Sequence, residues 1–370
     1  MARTASKPSL APLPAKKHET WLTQYAPDPR WLDRRREPVL EPGLAIVDPH
    51  HHLWDHPNHR YFFAELLSDL RSGHDVRASV FVECSSMYRS VGPAELRPVG
   101  ETEFVNGVAA MFASGTYGPV RACAGIVGFA DLQQGARIAE VLEAHIAAGA
   151  GRFRGIRMPF VWHPDKRLRS PRTDPPGDLM RDRQFRAGFA QLAPLGLSFE
   201  AWAYHTQLRE LAELADAFPD TTIILNHVGG AVGIGPFEGQ REAVFAEWSA
   251  AIKHLARCPN IYVKLGGLGM KIFGFGFHGA RTPPSSAELA RAWKPYIETC
   301  IEAFGVERAM FESNFPVDNE VCSYRTIWNA FKRLARGCSA REKAALFART
   351  AATAYRLEVS GITNPRRSAR

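Results

Sequence analysis

The chain reads LAIVDPHHHLWD from residue 44 to residue 55, a short apolar run followed by three consecutive histidines. The apolar run predicts a buried strand, in which side chains alternate between two faces. Asp48, His50 and His52 are therefore expected on one face and His51 on the other. Two neutral imidazoles beside each other at the end of a strand can bind zinc, iron, nickel or copper. The alternative is a chance cluster of histidines in a loop.

The composition is that of a globular protein with a large core. The chain has 370 residues, of which 45% are hydrophobic and 23% charged, and a chain of this length can fold without disulfide or metal staples. Its six cysteines form no CxxC pair, so neither a zinc ribbon nor a disulfide framework is expected, and a reducing cytoplasm fits best. We find no run that is apolar and long enough for a secretory signal or a membrane span.

The net charge of +8 raises the question of nucleic-acid binding. Much of the excess lies near the two ends, and solvated basic tails are the simpler interpretation. Since no helix-turn-helix or zinc-finger spacing is present, we expect a small-molecule substrate, no nucleic acid and no membrane partner. We divide the chain into a basic, proline-rich arm (1–43), a main domain (44–358) and a basic tail (359–370). Trp21 and Trp31 predict that the arm packs over the main domain or against a second subunit, which would make a homo-oligomer.

The main domain alternates short apolar or β-branched runs with longer helical patterns, which is typical of a parallel sheet with crossover helices. Eight runs are predicted as strands: 44–49, 76–83, 120–130, 153–158, 197–203, 221–226, 261–265 and 308–312. Eight such units predict a closed (β/α)8 TIM barrel of the α/β class, preceded by an extended arm. An open doubly wound sheet is the alternative. It is weakened because histidines, rather than a glycine-rich turn, follow the first strand.

Polar residues stand at the carboxyl ends of these predicted strands, where the active sites of such barrels form. In chain order they are His50, His52, Glu83, Arg154, Arg157, Trp162, His205, His227, Lys264, Asn314 and Asp318. One guanidinium of Arg154 and Arg157 is expected to enter the mouth, where it could bind a substrate carboxylate or form a salt bridge. Lys264, at the end of an apolar strand, needs a partner, either in a structural ion pair or in a carboxylate-binding or catalytic role. Trp162 is a candidate for substrate contact or for loop packing.

Five motifs, in this order and one per strand, resemble those of the amidohydrolase superfamily and its lactonase-like branch. They are VDPHHHLWD (47–55), RGIR (154–157), LNHVGG (225–230), YVKLGG (262–267) and MFESNFPVD (310–318), and TAATAYRL (350–357) resembles the closing helix of that family. The resemblance implies the barrel fold and hydrolase activity. In the metal-binding relatives, a pair of strand-1 histidines and histidines of strands 5 and 6 hold the metal. These positions carry over to His50, His52, His205 and His227.

The sequence departs from this pattern at strand 8. The usual Ser-Asp-Trp/Phe-Pro of the family reads SNFP at 313–316, and the amide of Asn314 cannot take a proton from water. Asp318 or Glu83 is then expected to act as general base. A divalent metal, zinc or manganese, is one expectation for the site. A metal-free mechanism, in which the histidines donate hydrogen bonds to an oxyanion, is the other.

We therefore predict a hydrolase that opens a lactone or related carboxylic ester of a small carboxylated substrate by activated water. A metal-dependent non-oxidative decarboxylase is the alternative, and Asn314 counts against it because such an enzyme is expected to keep the strand-8 acid. A non-enzymatic basic binding protein, the third hypothesis, has no need of so many titratable groups at strand ends. The glycine- and phenylalanine-rich residues 266–284 and the proline-rich residues 163–177 are expected either to cover the mouth or to form surface loops.

Overall fold

The eight predicted strands are all present, together with two short strands that were not predicted. The computed structural model describes residues 27–56, 59–169 and 175–362; Trp21, residues 1–26 of the arm and residues 363–370 of the tail lie outside them. The strands are β1 (Ala45–His51), β2 (Trp54–His56), β3 (His59–Tyr61), β4 (Asp75–Val82), β5 (Arg121–Gly128), β6 (Phe153–Arg157), β7 (Ser198–Ala201), β8 (Ile223–Leu225), β9 (Ile261–Leu265) and β10 (Ala309–Phe311).

All strands except β2 and β3 form one parallel sheet in the order β1-β4-β5-β6-β7-β8-β9-β10. Backbone hydrogen bonds join the residues that follow the last strand, β10, to the end of the first strand, β1. The amide of His52 donates to the carbonyl of Phe315 at 2.8 Å, and the amide of Asn314 donates to the carbonyl of His50 at 3.0 Å. These contacts close the ring, so the (β/α)8 prediction is confirmed and the open-sheet alternative is wrong.

Helices connect the strands and cover the outside of the barrel. They are α1 (Pro29–Leu32), α2 (Phe63–Leu70), α3 (Val99–Ala113), α4 (Ile138–Ala148), α5 (Arg183–Phe189), α6 (Leu208–Ala217), α7 (Arg241–Leu255), α8 (Ser286–Phe304), α9 (Tyr324–Leu334), α10 (Ala340–Ala344) and α11 (Thr350–Ala354), with a π-helical turn (Ala345–Arg349) before the last. α8 starts at a capping box in which Ser285 and Glu288 bond each other's backbone amides. α6 buries the leucines of its three- and four-residue repeat.

Strands β2 and β3 form an antiparallel hairpin directly after the histidine run. Trp54 pairs with Tyr61 in this hairpin, and the ring of Trp54 stacks on that of His52 with centroids 5.7 Å apart. Each strand has only three residues, too few for an alternating pattern to stand out in the sequence. The hairpin therefore adds an aromatic wall beside the histidines that sequence reasoning did not find.

The amino end of the barrel interior is closed by the C-terminal segment. Apolar side chains of the strands pack there against α11 and the residues after it; the members include Val47, Val80, Ile224, Met310, Ala351, Tyr355 and Leu357. This packing corresponds to the closing helix that the resemblance implies. The site therefore has to open at the carboxyl ends of the strands.

The described part of the arm lies across the last two units of the barrel. The indole N–H of Trp31 donates to the carbonyl of Ala280 at 2.8 Å. The amide of Ser286 donates to Glu37 at 2.7 Å, and the amide of Leu40 donates to the side chain of Asn329 at 2.9 Å. The arm thus packs over its own barrel, while a contact of Trp31 with a second subunit stays a prediction. Within the described ranges, none of the helices combines the length and apolarity needed to cross a membrane.

Candidate active site

Three histidines lie together at the carboxyl ends of the strands. His50 and His52 come from the end of β1, and their Nε2 atoms are 3.3 Å apart. His227 follows β8, and its ring centroid is 4.7 Å from that of His50. Burial lowers the pKa of all three imidazoles below the usual 6.5, so they are neutral at neutral pH. His51 turns the other way, as the alternation predicts, and its Nε2 lies 2.9 Å from the hydroxyl of Ser79.

Glu312, directly after β10, joins two of these histidines. Its Oε1 accepts a hydrogen bond from Nδ1 of His227 at 2.7 Å. Its Oε2 lies 2.7 Å from Nδ1 of His50 but makes no hydrogen bond. A Cβ at Gly267 would lie 2.3 Å from Nδ1 of His227, and one at Gly266 would lie 2.4 Å from Cγ of Glu312. The glycine pair after β9 therefore makes room for this cluster.

The arrangement fits a divalent metal. His50, His227 and Glu312 offer ligand atoms that all lie within 4.8 Å of one another. Nδ1 of His227 donates to Glu312, and Nδ1 of His52 donates to the carbonyl of Val82 at 2.8 Å, which leaves Nε2 of each ring with its lone pair. The buried Oε2 of Glu312 has no hydrogen-bond partner. Imidazole and carboxylate are the ligands of catalytic zinc, and a carboxylate behind a ligating histidine is its usual support.

Two buried ion pairs lie beside the histidines. Nε of Arg157 is 2.7 Å from Glu83, and Nζ of Lys264 is 2.8 Å from Glu200. Both cations also reach His50: Nη1 of Arg157 lies 3.3 Å from its Nε2, and Nζ of Lys264 lies 3.2 Å from its Nδ1. Each cation keeps its own carboxylate, because an unpaired buried charge is strongly destabilising. The two pairs place fixed positive charge next to the imidazoles without leaving a net charge.

Asp318 supplies a further buried carboxyl group, in the turn Asp318–Glu320 after β10. Its Oδ1 accepts from the side-chain amide of Asn314 at 2.9 Å, and its Oδ2 accepts from the backbone amide of Gly269 at 3.0 Å. A Cβ at Gly269 would lie 2.9 Å from this carboxyl group, so the close approach requires glycine. Burial raises the pKa of Asp318 to about 8. A carboxyl group with such a pKa can take up and release a proton near neutral pH.

Three other predicted site residues have their described contacts with residues outside this group. His205 starts a 3-10 turn after β7, packs its ring on Phe237 with centroids 4.8 Å apart, and has a buried Nε2 without a hydrogen-bond partner. Arg154 donates to backbone carbonyls at the amino end of β6, at the opposite end of the strand from the histidines. Trp162 lies in the loop after β6, 5.1 Å from the guanidinium of Arg169.

Sequence reasoning did not select Glu312, Glu200 or Trp202, although all three lie at the site. Glu312 stands inside the motif MFESNFPVD, and its position directly at a strand end was the available signal. Glu200 is a lone acid in the apolar strand β7, the same kind of signal that singled out Lys264. Trp202 packs edge-on against His227 with ring centroids 4.7 Å apart. Nothing in its local sequence marks this contact.

The glycine-rich segment after β9 borders a cavity. Lys271 and His278 approach Glu320, which follows Asp318 in the same turn, at 3.7 and 3.3 Å. The cavity, of about 540 Å³, lies between this segment and the loop after β8, and its lining includes none of the three histidines, Glu312 or Asp318. The movement of residues 266–284 as a lid stays a prediction. Of the flap predicted at 163–177, residues 170–174 lie outside the described part of the chain.

Comparison with known proteins agrees with this architecture. The model of the amidohydrolase family matches residues 47–357. A Sinorhizobium fredii protein described as "Uncharacterized protein y4mH" is 36% identical over 337 residues, which are 85% of this chain and 99% of that protein. The L-fucono-1,5-lactonase of Burkholderia multivorans is 26% identical over 236 residues, 63% of this chain and 72% of the lactonase.

Solved structures show the same fold. A Burkholderia multivorans amidohydrolase with bound zinc has a TM-score of 0.65 at 23% identity, with 85% of this chain and all (100%) of that chain covered. The 5-carboxyvanillate decarboxylase of Sphingomonas paucimobilis has a TM-score of 0.51 at 14% identity, with 85% of this chain and 100% of the decarboxylase chain covered. The closed barrel, its histidine cluster and the match over most of the chain lead to one conclusion. This protein is an enzyme of the hydrolase class and belongs to the amidohydrolase family.

Proposed function

We propose that the protein hydrolyses a lactone or a related carboxylic ester at the mouth of the barrel. The observation that carries this proposal is the group of three neutral histidines around Glu312, with a second carboxyl group, that of Asp318, close by. Ester hydrolysis needs a polarised carbonyl group and a base that takes a proton from water, and these residues can supply both. The similarity to an L-fucono-1,5-lactonase supports a lactone as the substrate.

Arg157 is proposed to stabilise the oxyanion that forms on the carbonyl group, since His52 and His227 already donate their Nδ1 protons to Val82 and Glu312. Donors that are already in place need no reorganisation during the reaction, and burial strengthens their effect. The guanidinium of Arg157 is fixed by Glu83 at 2.7 Å. A divalent metal held by His50, His52, His227 or Glu312 would supply Lewis-acid polarisation of the same carbonyl group. We propose zinc first and manganese second, since the donor set mixes imidazole and carboxylate.

Asp318 is proposed as the general base. Its oxygens accept hydrogen bonds from neutral groups, Asn314 and Gly269, whereas Glu83 is held in the ion pair with Arg157. A base is most effective when its pKa is near the working pH, and the pKa of Asp318 is raised to about 8. Asn314 would then orient the base from the position where the family usually has its acid.

The proposed substrate is a small lactone. The prediction of a carboxylated substrate rested on the two arginines of RGIR, of which only Arg157 reaches the histidines. Its guanidinium already has the carboxylate of Glu83 as partner, so a further substrate carboxylate would meet a neutralised pair. A neutral sugar lactone is therefore the first substrate to assay, and a carboxylated lactone is the second.

The test is an assay of lactone opening, read as acid release at fixed pH. Protein prepared with zinc, with manganese and without metal is given L-fucono-1,5-lactone and a carboxylated lactone. We expect turnover of at least one lactone, and a kcat/KM that is about 10²–10⁴-fold lower in Asp318→Asn. Carbon dioxide release from an aromatic carboxylic acid, with no lactone opened by any preparation, would reject the proposal in favour of a decarboxylase.

A further inference from the structure

The described part of the arm (27–43) contacts the glycine-rich segment (266–284) that follows β9. Three side chains of the arm donate to three backbone carbonyls near the carboxyl end of this segment. The pairs are Trp31 with Ala280 at 2.8 Å, Arg34 with Arg281 at 3.1 Å, and Arg35 with Pro283 at 3.1 Å. Since all three acceptors are main-chain atoms, these bonds fix the path of the backbone.

The middle of the segment is rich in glycine and needs such support. Gly274, Gly276 and Gly279 have φ +64, +73 and +75, and the last two are exposed. Glycine loses more conformational freedom on ordering than any other residue. The order of this part of the chain therefore depends on contacts that other elements make with it.

Helix α7 holds the segment on the other side of these glycines. The guanidinium of Arg241 donates to the carbonyls of Phe273 and Gly274 at 3.1 and 2.8 Å. It also lies 4.6 Å from the ring centre of Phe275. The arm and α7 thus hold the segment on opposite sides of Gly276 and Gly279.

The segment in turn contacts the turn that contains Asp318. The amide of Gly269 donates to the carboxyl group of Asp318 at 3.0 Å. Nε2 of His278 lies 3.3 Å from Oε2 of Glu320, the last residue of the same turn. His278 is only two residues before Ala280, which Trp31 holds. A shift of the backbone at Ala280 is therefore passed to this turn over a short path.

The arm is an addition to a barrel that is already closed. The match to the amidohydrolase family begins at residue 47, so the arm lies outside the matched part of the chain. The ring closes through the backbone bonds of His50 and His52 with Asn314 and Phe315, in which the arm has no part. The contacts between the arm and the segment therefore serve something other than ring closure.

We propose that the arm is a strap that holds the segment against the turn of Asp318, and that Trp31 is a positioning residue for this proposed base. The strap acts through Ala280 and His278, without contact with the substrate. When it is loosened, the segment moves about its glycines, and the bond from Gly269 to Asp318 is made less often. This inference rests on the proposed function only through the role of Asp318, since the hold of the arm on the segment is a property of the fold.

Hydrogen exchange read by mass spectrometry tests the strap on the full chain without substrate. Trp31→Phe keeps an aromatic ring and removes one N–H donor. We expect peptides from residues 266–284 to exchange about 2–10-fold faster, the factor that the loss of one hydrogen bond gives. Arg35→Met removes the donor to Pro283 and is the second variant, with a change in the same direction expected.

The matched control is Lys343→Met. It removes the ion pair of Lys343 with Glu41 at 2.8 Å, which holds the other end of the arm on α10, and it should leave the exchange of the segment unchanged. The proposal is overturned if neither Trp31→Phe nor Arg35→Met speeds exchange in the segment. It is also overturned if Lys343→Met speeds this exchange as much as they do.

The separate effects on kcat and KM test the link to the base. On the lactone that the wild type opens, we expect kcat of Trp31→Phe and Arg35→Met to fall about 3–10-fold, because a small displacement of the base is costly. KM should change less than about twofold. A raised KM with unchanged kcat would show that the segment only covers the mouth, and would overturn the positioning role. A protein that opens no lactone fails the proposed function, whereas the exchange measurement decides on the strap without substrate.

Discussion

Asn314 donates its side-chain amide to Asp318 across 2.9 Å, and both residues are buried. The backbone of Asn314 has φ 55, a left-handed conformation that asparagine adopts more readily than most residues. Its backbone amide also donates to the carbonyl of His50 at 3.0 Å, in the contact that closes the barrel. The position where the resemblance implies an acid therefore has two tasks in this protein. It completes the barrel, and it orients an acid four residues further along the chain.

Replacing Asn314 by aspartate should destabilise the protein in a pH-dependent way. The change removes an N–H donor and brings two carboxyl groups together, which can share one proton but repel each other when both ionise. We expect the free energy of unfolding to fall by about 1–3 kcal/mol at pH 9 and by less at pH 6. Chemical denaturation at the two pH values measures both losses. An equal loss at both would show that repulsion is not the cause.

The activity should depend on the ionisation of Asp318. If this carboxylate accepts the proton of water, kcat/KM rises with pH and levels off above about 8, the raised pKa of the folded protein. A pH–rate profile between pH 5 and 10 measures the midpoint. Glu83→Gln should lower the rate but keep the midpoint. A kcat/KM that is already level at pH 5, as the ordinary carboxyl pKa of 3.8 predicts, would assign the base to another group.

Gly267→Ala should disturb the histidine cluster. Gly267 has φ +68, and an added Cβ would lie 2.3 Å from Nδ1 of His227; Gly305, at the end of α8, has φ +72 and open space around it. Both substitutions should cost about 1–2 kcal/mol of backbone strain, but only Gly267→Ala should move His227. We expect kcat/KM to fall about 10–100-fold in Gly267→Ala and to change less than about twofold in Gly305→Ala. A similar loss in both variants would attribute the effect to strain alone.

Metal content should distinguish the histidines of the cluster from His205. Elemental analysis of protein purified without added metal or chelator is expected to give about one equivalent of zinc or manganese. His50→Ala and His227→Ala should lose it, because their ligand atoms lie in the group with Glu312. His205→Ala should keep it, since its ring packs on Phe237. Metal loss in His205→Ala equal to that in His227→Ala would place His205 in the coordination shell after all.

His145 should make the folded state sensitive to acid. Its ring lies within hydrogen-bond distance of Thr102 and the carbonyl of Phe129, and burial lowers its pKa from 6.5 to about 4. Between pH 6.5 and 4 the unfolded chain binds a proton at His145, whereas the folded chain does not. The folded state therefore loses stability as the pH falls toward 4. The unfolding free energy of wild type relative to His145→Gln should fall by about 1.4 kcal/mol per pH unit in this window. A difference that does not change with pH would contradict the assignment.

The eight strands could be predicted because each is a short apolar run bounded by turn residues, and all eight were found. The hairpin of β2 and β3 was missed because its strands have three residues each. The contact between Tyr355 and Glu200 joins residues 155 positions apart, and such a pairing cannot be predicted from a local sequence pattern. Arg154 and Arg157 look equivalent in the sequence, and only the assembled barrel separates them. The cytoplasmic location, the oligomeric state and the lack of nucleic-acid binding stay predictions.

The C-terminal segment has a consequence for the path of the substrate. Ala351, Tyr355 and Leu357 pack against strand side chains at the amino end of the barrel, so within the described ranges the barrel is closed at that end. Product must leave by the opening through which the substrate came, and the next substrate has to wait for it. For the proposed lactone hydrolysis, inhibition by the opened acid should therefore be competitive, and the rate at which this acid leaves sets an upper limit on turnover.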